Sequence, residues 1–91
     1  MILKIYKSFN DKLTKIEITN TITLWLSYET VVAFYDGYDL VVCENIWGPT
    51  TGKHLNSIDG GNKKDRLSYE EFNKRLNLLE QTMQSAMYAV I

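Results

Sequence analysis

The sequence predicts an α+β domain: an antiparallel sheet of about five strands, a long glycine-rich loop, and one C-terminal amphipathic helix packed on one face of the sheet. Three observations predict it. Segments rich in β-formers fill the first half, periodicity stops between residues 45 and 66, and apolar residues recur every three or four positions after Ser68. With 91 residues and a hydrophobic content of 45%, residues 1–91 are expected to form one domain.

Five segments have the composition of strands, and the clearest period of two lies in residues 21–27. The segments are 1–7, 13–19, 21–27, 29–35 and 38–44. Asp36-Gly37 separates the last two and is typical of a two-residue type I′ turn, which predicts a β-hairpin.

The C-terminal helix has a well-marked start. Ser68 and Glu71 form a capping box, and Leu67 and Phe72 occupy the positions of a hydrophobic staple. One apolar stripe follows, made of Tyr69, Phe72, Leu76, Leu79, Met83, Ala86 and Val90. The apolar end of this helix leaves two alternatives open. It packs on its own sheet, or it docks on a second subunit and makes a homo-oligomer.

Composition excludes several classes of protein. A single cysteine, Cys43, excludes an intramolecular disulfide, and a single histidine, His54, excludes a Cys/His zinc cluster, so we expect no metal and no cofactor. The free thiol and the lack of a visible secretion signal predict a cytoplasmic protein. The longest apolar run, residues 31–35, is too short to span a bilayer, so no membrane association is expected.

The candidate site is the segment 47–61, which combines hydroxyls, a flexible backbone, a lysine, the histidine and an amide. These are parts of an anion or phosphate cradle. The candidate ligand-binding residues are Trp47, Thr50, Thr51, Gly52, Lys53, His54, Asn56 and Asp59, together with Tyr28 at a strand boundary. Each of these residues could instead have a purely structural role in the core, in a turn or on the solvated surface. Three basic residues nearby form either a solvated turn or the rim of the site: Lys63, Lys64 and Arg66.

Two catalytic interpretations are weaker. Gly48-Pro-Thr-Thr-Gly-Lys-His has one residue too few between its glycines for a P-loop, and His54 replaces the magnesium-binding hydroxyl. An enzyme would use His54 as general acid or base and Lys53 to hold phosphate, but the sequence shows no orienting partner for the histidine. We therefore assign no catalytic residue and favour a protein that is not an enzyme.

The segments Ser27–Thr30, Val32–Phe34, Glu44–Trp47, Thr50–Asn56 and Ile58–Gly61 resemble a small uncharacterised domain family of bacteriophages and related mobile elements. The shared core reads W-x-x-T-T-G-K-H-L-N-x-I-D-G-G, and the resemblance covers about residues 28–72. It implies a phage-type accessory protein acting in the host cytoplasm, with the Thr-Thr-Gly-Lys-His-Leu-Asn block as its site.

Two functional hypotheses follow. In the first, the protein binds a phosphate-containing ligand and sequesters a host defence signalling nucleotide. In the second, it is a protein-binding inhibitor of a host defence or restriction system and takes no small ligand. That inhibitor would use exposed aromatic residues and the segment 21–47, which carries four acidic and no basic residues.

Overall fold

The computed structural model describes the backbone of residues 4–7 and 12–90, and the side chains of residues 4–6 and 12–83. Its elements are the strands β1 (Lys4–Lys7), β2 (Leu13–Glu17), β3 (Thr23–Ser27), β4 (Thr30–Tyr35) and β5 (Leu40–Val42), the helix α1 (Pro49–Asp59), a 3₁₀ turn (Lys63–Asp65) and the helix α2 (Tyr69–Val90). The predicted α+β fold with a five-stranded antiparallel sheet and a C-terminal helix is confirmed.

The sheet is a simple antiparallel meander whose spatial order is the chain order, β1-β2-β3-β4-β5. Beyond β5 the chain leaves the sheet to form α1 and then returns to its edge at Leu67. There the N–H of Leu67 donates to the carbonyl of Val42 at 2.9 Å, and the N–H of Glu44 donates to the carbonyl of Leu67 at 2.8 Å. This parallel bridge opposite Cys43 fixes where α2 begins.

One face of the sheet packs on α2. Phe34, Val41 and Cys43 are buried there against Phe72 and Leu79 of the helix. The rings of Phe34 and Phe72 lie 5.5 Å apart between centroids in a tilted arrangement. Partly buried residues complete this cluster: Ile22, Leu24, Val31, Leu67, Leu76 and Met83.

The other face packs on α1, which adds a second helix to the single one predicted. Val32, Ala33 and Val42 are buried against Leu55 of α1, with Trp25 packed beside them. Val32 and Ala33 join the same cluster although they are neighbours in a strand. The pairing of β3 with β4 shifts register between Trp25 and Leu26, and this irregularity skips Val32.

The prediction of a loop across residues 45–66 is wrong for residues 49–59, which form α1. Pro49 occupies the start of the helix, where a missing N–H costs nothing, and Gly60 ends it in the left-handed conformation with φ +69°. These residues thus mark the ends of a helix. Its inward stripe, Thr51, His54, Leu55 and Ile58, has helical spacing but only two aliphatic members, so it was not recognised as amphipathic.

The predicted hairpin between β4 and β5 is present, but its turn differs from the type I′ expected. The N–H of Asp36 bonds the carbonyl of Asp39 at 3.2 Å, so the two central residues are Gly37 and Tyr38. Only Gly37 has a positive φ, +96°, whereas a type I′ turn requires one at both positions. The Asp36 carboxylate closes the turn by accepting bonds from the N–H groups of Tyr38 and Asp39.

One of the two bonds of the predicted capping box is present at the start of α2, since the hydroxyl of Ser68 accepts a hydrogen bond from the N–H of Glu71 at 3.3 Å. Phe72 and Leu79 of the predicted stripe are buried, while Tyr69 is 47% exposed. The side chains of Ala86 and Val90 lie outside the described residues, as does the surface on which a second subunit was expected to dock. The homo-oligomer stays a prediction.

Candidate functional site

A cleft of about 300 Å³ lies where the turn between β3 and β4 meets the N-terminal end of α1. Its lining consists of Ser27, Tyr28, Thr30, Val32, Trp47, Gly48, Pro49, Thr50 and Thr51. Four of the nine residues predicted from the sequence, Tyr28, Trp47, Thr50 and Thr51, therefore meet in one place. No charged side chain belongs to this lining within the part of the chain that the structure describes.

The N-terminal end of α1 opens on the cleft without a cap. Gly48 precedes the helix and has no side chain to accept a bond, Pro49 has no N–H, and no acidic residue lies in the first turn. The first N–H to find a helical partner is that of Gly52, which donates to the carbonyl of Gly48 at 2.9 Å. The N–H groups of Thr50 and Thr51 are thus free donors at the positive end of the helix dipole.

Asn45 shapes the approach to α1. Its Oδ1 accepts bonds from the N–H groups of Trp47 at 3.0 Å and Gly48 at 3.3 Å, and its Nδ2 donates to the carbonyl of Gly48 at 2.9 Å. A Cβ at Gly52 would lie 2.9 Å from that Nδ2. Gly52 was expected to let a ligand approach the backbone, but the group that approaches it in the structure is the Asn45 amide.

Tyr28 forms one rim of the cleft in a strained conformation. Its φ is +58°, a value that bulky residues rarely adopt, and its N–H donates to the carbonyl of Lys12 at 2.8 Å. The side chain is 55% exposed, and its ring lies 6.2 Å from that of His54 between centroids. Strain of this kind at a cleft motivates a functional hypothesis for the residue.

Trp47 lies at the other side of the same cleft. Its ring meets that of Tyr69 edge-to-face, with centroids 6.2 Å apart and an interplanar angle of 79°. Tyr69, at the first position of α2, therefore supports the indole, which remains 37% exposed. The cleft thus has an accessible aromatic ring on each side.

A buried chain of three polar side chains lies at the floor. The hydroxyl of Ser27 is 2.8 Å from Oγ1 of Thr51 and 2.7 Å from Nδ1 of His54. All three residues are buried, and Nε2 of His54 has no hydrogen-bond partner among the described residues. A buried polar atom without a partner costs about 1–3 kcal/mol, so it calls for an explanation.

The remaining predicted residues lie outside the cleft. Lys53 is exposed on α1, and Asn56 and Asp59 turn toward Arg66. The hydrogen bonds from Arg66 lower the pKa of Asp59; burial opposes this, and the N–H groups of Gly61 and Asn62 add to the lowering. Arg66 is thus part of an ion pair whose side chains are 4% and 7% exposed.

Sequence reasoning missed two residues of this region, Ser27 and Asn45, and gave Arg66 only as part of a solvated turn or of the rim of the site. Ser27 had a signal, since it continues the alternation of β3 on the face of Trp25, where a serine breaks the apolar pattern. Asn45 and Arg66 act across turns whose geometry depends on α1, which the sequence reading did not include.

The described residues contain no group of three histidine, cysteine, aspartate or glutamate side chains placed to hold a metal ion. Among the helices of that same part, none is long and apolar enough to cross a membrane.

The chain belongs to a family of unknown function, DUF8033, whose family model matches residues 1–74. The matched region contains every strand, the whole of α1, and the first turns of α2. All residues of the cleft therefore lie within it. No curated protein and no solved structure is significantly similar to the chain.

Proposed function

We propose that this member of the DUF8033 family binds a phosphate-containing small ligand in the cleft at the N-terminal end of α1. The observation that carries the proposal is the uncapped helix start, with the free N–H groups of Thr50 and Thr51, between the exposed rings of Tyr28 and Trp47. Phosphate groups bind readily at helix N-termini, where N–H donors and the helix dipole both favour negative charge.

The aromatic side chains at the two edges of the cleft indicate that the ligand carries a planar ring as well as a phosphate. Tyrosine and tryptophan side chains stack on nucleobases, and stacking is tolerant of which base is present. A ligand with a phosphate on the helix and a planar ring against Tyr28 or Trp47 is a nucleotide.

The described lining of the cleft has no charged side chain, and this restricts which nucleotides it can bind. A polyphosphate usually requires Lys, Arg or a metal ion nearby, and the described lining has no cation. Two N–H donors, the hydroxyl groups and a helix dipole suit one negative charge, as in a phosphodiester. We therefore favour a cyclic nucleotide over a nucleoside triphosphate.

The biological role proposed for this binding is sequestration of a host defence signalling nucleotide. It rests on the resemblance of the chain to domains of bacteriophages and mobile elements. The cleft lining supplies hydroxyls and N–H donors and no carboxylate to act as a base. A bound nucleotide should accordingly be recovered intact after the protein is denatured.

The second candidate function is inhibition of a host protein without a small ligand, and Tyr38 is the observation that favours it. This residue is 89% exposed at the tip of the β4–β5 hairpin. The acidic segment fits a mimic of nucleic acid less well, because Asp36 and Asp39 both lie near Arg75, at 3.2 and 3.6 Å. An inhibitor of this kind would bind through the hairpin tip.

Thermal unfolding of the purified protein in the presence of cyclic mononucleotides, cyclic dinucleotides and ADP-ribose derivatives tests the proposal. One-site binding predicts stabilisation of about 2.7 kcal/mol at a hundredfold excess over Kd. Thr51→Val removes a cleft hydroxyl at constant shape and should weaken binding, whereas Thr82→Val makes the same change on α2, away from the cleft, and should not.

Two results would contradict ligand binding at the cleft. Equal loss of binding in Thr51→Val and Thr82→Val would show that the ligand binds elsewhere or that the effect is unspecific. Failure of every nucleotide to shift the transition would favour the second function, and Tyr38→Ala should then abolish binding to a protein partner while leaving the fold unchanged.

A further inference from the structure

We infer that His54 is a positioning residue whose two tautomers allow both directions of the hydrogen bond between Ser27 and Thr51, so that the Thr51 hydroxyl becomes a donor when an anionic ligand binds. The inference rests on the proposed function of the cleft. Ser27 and Thr51 both line the cleft, and the Ser27 hydroxyl joins Thr51 on one side to His54 on the other.

The direction follows from counting protons. The Ser27 hydroxyl has one proton and two partners, so it donates to one and accepts from the other. If Nδ1 of His54 is unprotonated, Ser27 donates to it, and Thr51 donates to Ser27. The Thr51 hydroxyl then offers only lone pairs to the cleft.

The reverse order creates a donor. If the proton of the imidazole is on Nδ1, that N–H donates to Ser27, Ser27 donates to Thr51, and the hydrogen of the Thr51 hydroxyl is free to point into the cleft. An oxyanion accepts hydrogen bonds, so it binds the second arrangement better than the first. The number of protons is the same in both, because the imidazole proton has moved from Nε2 to Nδ1.

The unpartnered Nε2 is what permits the exchange. In folded proteins, the hydrogen bond made by one imidazole nitrogen usually fixes which nitrogen carries the proton. Nε2 of His54 is buried and has no partner among the described residues, so neither tautomer is fixed from that side. A ligand on Thr51 can therefore decide which tautomer is populated.

The described surroundings of His54 supply no charged partner for its ring. The titratable group beside its ring is the phenol of Tyr28, from the β3–β4 turn. Ser27 of β3 bonds Nδ1 of the ring, and Thr51 of α1 bonds Ser27; neither hydroxyl titrates near neutral pH. No carboxylate of the described residues pairs with the ring, so a buried imidazolium would have no counter-ion.

The chain has one histidine, so nitrogen NMR of protein labelled with ¹⁵N-histidine reports His54 alone. Titration with inorganic phosphate at constant pH should move its two ring signals toward the Nδ1–H tautomer while shifting the backbone amide signals of Thr50 and Thr51. Thr51→Val should abolish the response of His54 and weaken phosphate binding about tenfold, the size expected for one hydrogen bond to a charged group. Thr51→Ser keeps a hydroxyl and should restore both.

The possible outcomes separate the two proposals. If the amide signals of Thr50 and Thr51 shift and the His54 tautomer does not change, the role of His54 is overturned and binding at the cleft stands. A response of His54 that persists in Thr51→Val overturns the role as well. If phosphate shifts none of these signals, the proposed function fails and the inference fails with it. Thr82→Val, which should behave as the wild type, controls for effects of the Thr→Val change itself.

Discussion

Asp59 and Arg66 form a two-point ion pair that joins the end of α1 to the segment leading into α2. Nε of Arg66 donates to Oδ2 of Asp59 at 2.8 Å, and Nη2 donates to Oδ1 at 3.0 Å. Nη2 also donates to Oδ1 of Asn56 at 2.9 Å. Because both charged side chains are buried, the pair fixes α1 more firmly than a surface ion pair would.

Arg66→Ala should destabilise the protein by about 1–2 kcal/mol, because it removes the counter-ion and two hydrogen bonds of the Asp59 carboxylate. Urea unfolding followed by circular dichroism measures the change. Lys64→Ala, at an exposed neighbouring position, is the matched control and should stay within about 0.5 kcal/mol of the wild type. Equal effects of the two substitutions would show that the buried pair contributes nothing specific.

The same pair predicts a dependence of stability on pH. Arg66 lowers the pKa of Asp59 below its usual value of 3.8 in the folded state, so the unfolded chain binds the proton more readily. The contribution of Asp59 is therefore fully present above about pH 5 and is lost as the pH falls through 4 and below. Unfolding free energies of wild type and Asp59→Asn, measured from pH 7 to pH 3, should converge toward the acid end. A constant difference across that range would contradict the assignment.

Two substitutions of Tyr28 should differ in their effect on stability but not in their effect on ligand binding. Glycine adopts a positive φ without strain, so Tyr28→Gly should be more stable than Tyr28→Ala by about 1 kcal/mol, although both remove the ring. The nucleotide binding proposed above should weaken equally in the two variants, because both lack the Tyr28 ring. Urea unfolding and isothermal titration calorimetry measure the two effects, and a less stable glycine variant would argue against strain at this position.

Gly52 and Asn45 should be energetically coupled. Gly52→Ala improves helix propensity by about 1 kcal/mol but places a methyl group against the Asn45 amide, so the two effects should nearly cancel. In an Asn45→Ala background the obstacle is absent, and Gly52→Ala should then stabilise the protein by about 1 kcal/mol. A double-mutant cycle measures this coupling. Additive substitutions would mean that the glycine does not serve to accommodate Asn45.

Cys43 should be unreactive in the folded protein. Burial, with a smaller contribution from the charge of Glu44, raises the pKa of its thiol from 9.0 to about 11, so almost no thiolate exists at pH 8. A thiol reagent such as dithiobis-nitrobenzoate should label it only as fast as the protein unfolds, and urea should accelerate the reaction. Rapid labelling of native protein at pH 8 would show that the β5 edge opens locally.

The strands and α2 could be predicted because their signals are local. The alternation in β3, the Asp-Gly turn and the Ser68 cap each act within a few residues. The Asp-Gly turn still differed in type, because its register depends on which pair closes it, and Asp36 pairs with Asp39. The position of a turn in the sequence is thus easier to predict than its type.

The helix α1 could not be predicted because its stability comes from tertiary packing. Only Leu55 and Ile58 of its inward stripe are aliphatic, while Thr51 and His54 pack inward through hydrogen bonds to Ser27, a residue 24 and 27 positions away. Contacts between residues so far apart in the sequence cannot be inferred from the pattern within a short segment. The same distance explains why Tyr28 was placed near the site only as a hypothesis, and why Ser27 was not proposed at all.

Because Leu67 bridges to Cys43, the segment from Glu44 to Arg66 begins and ends at the same edge of the sheet. It leaves the sheet edge and returns to it between adjacent hydrogen bonds, so this bridge sets where the meander meets α2. This segment carries one wall of the cleft, residues 47–51, and the β3–β4 region carries the other. Substitutions in residues 47–51 would therefore change one wall of the cleft without touching the core cluster between the sheet and α2, as exchange of a hypervariable loop does on an antibody framework.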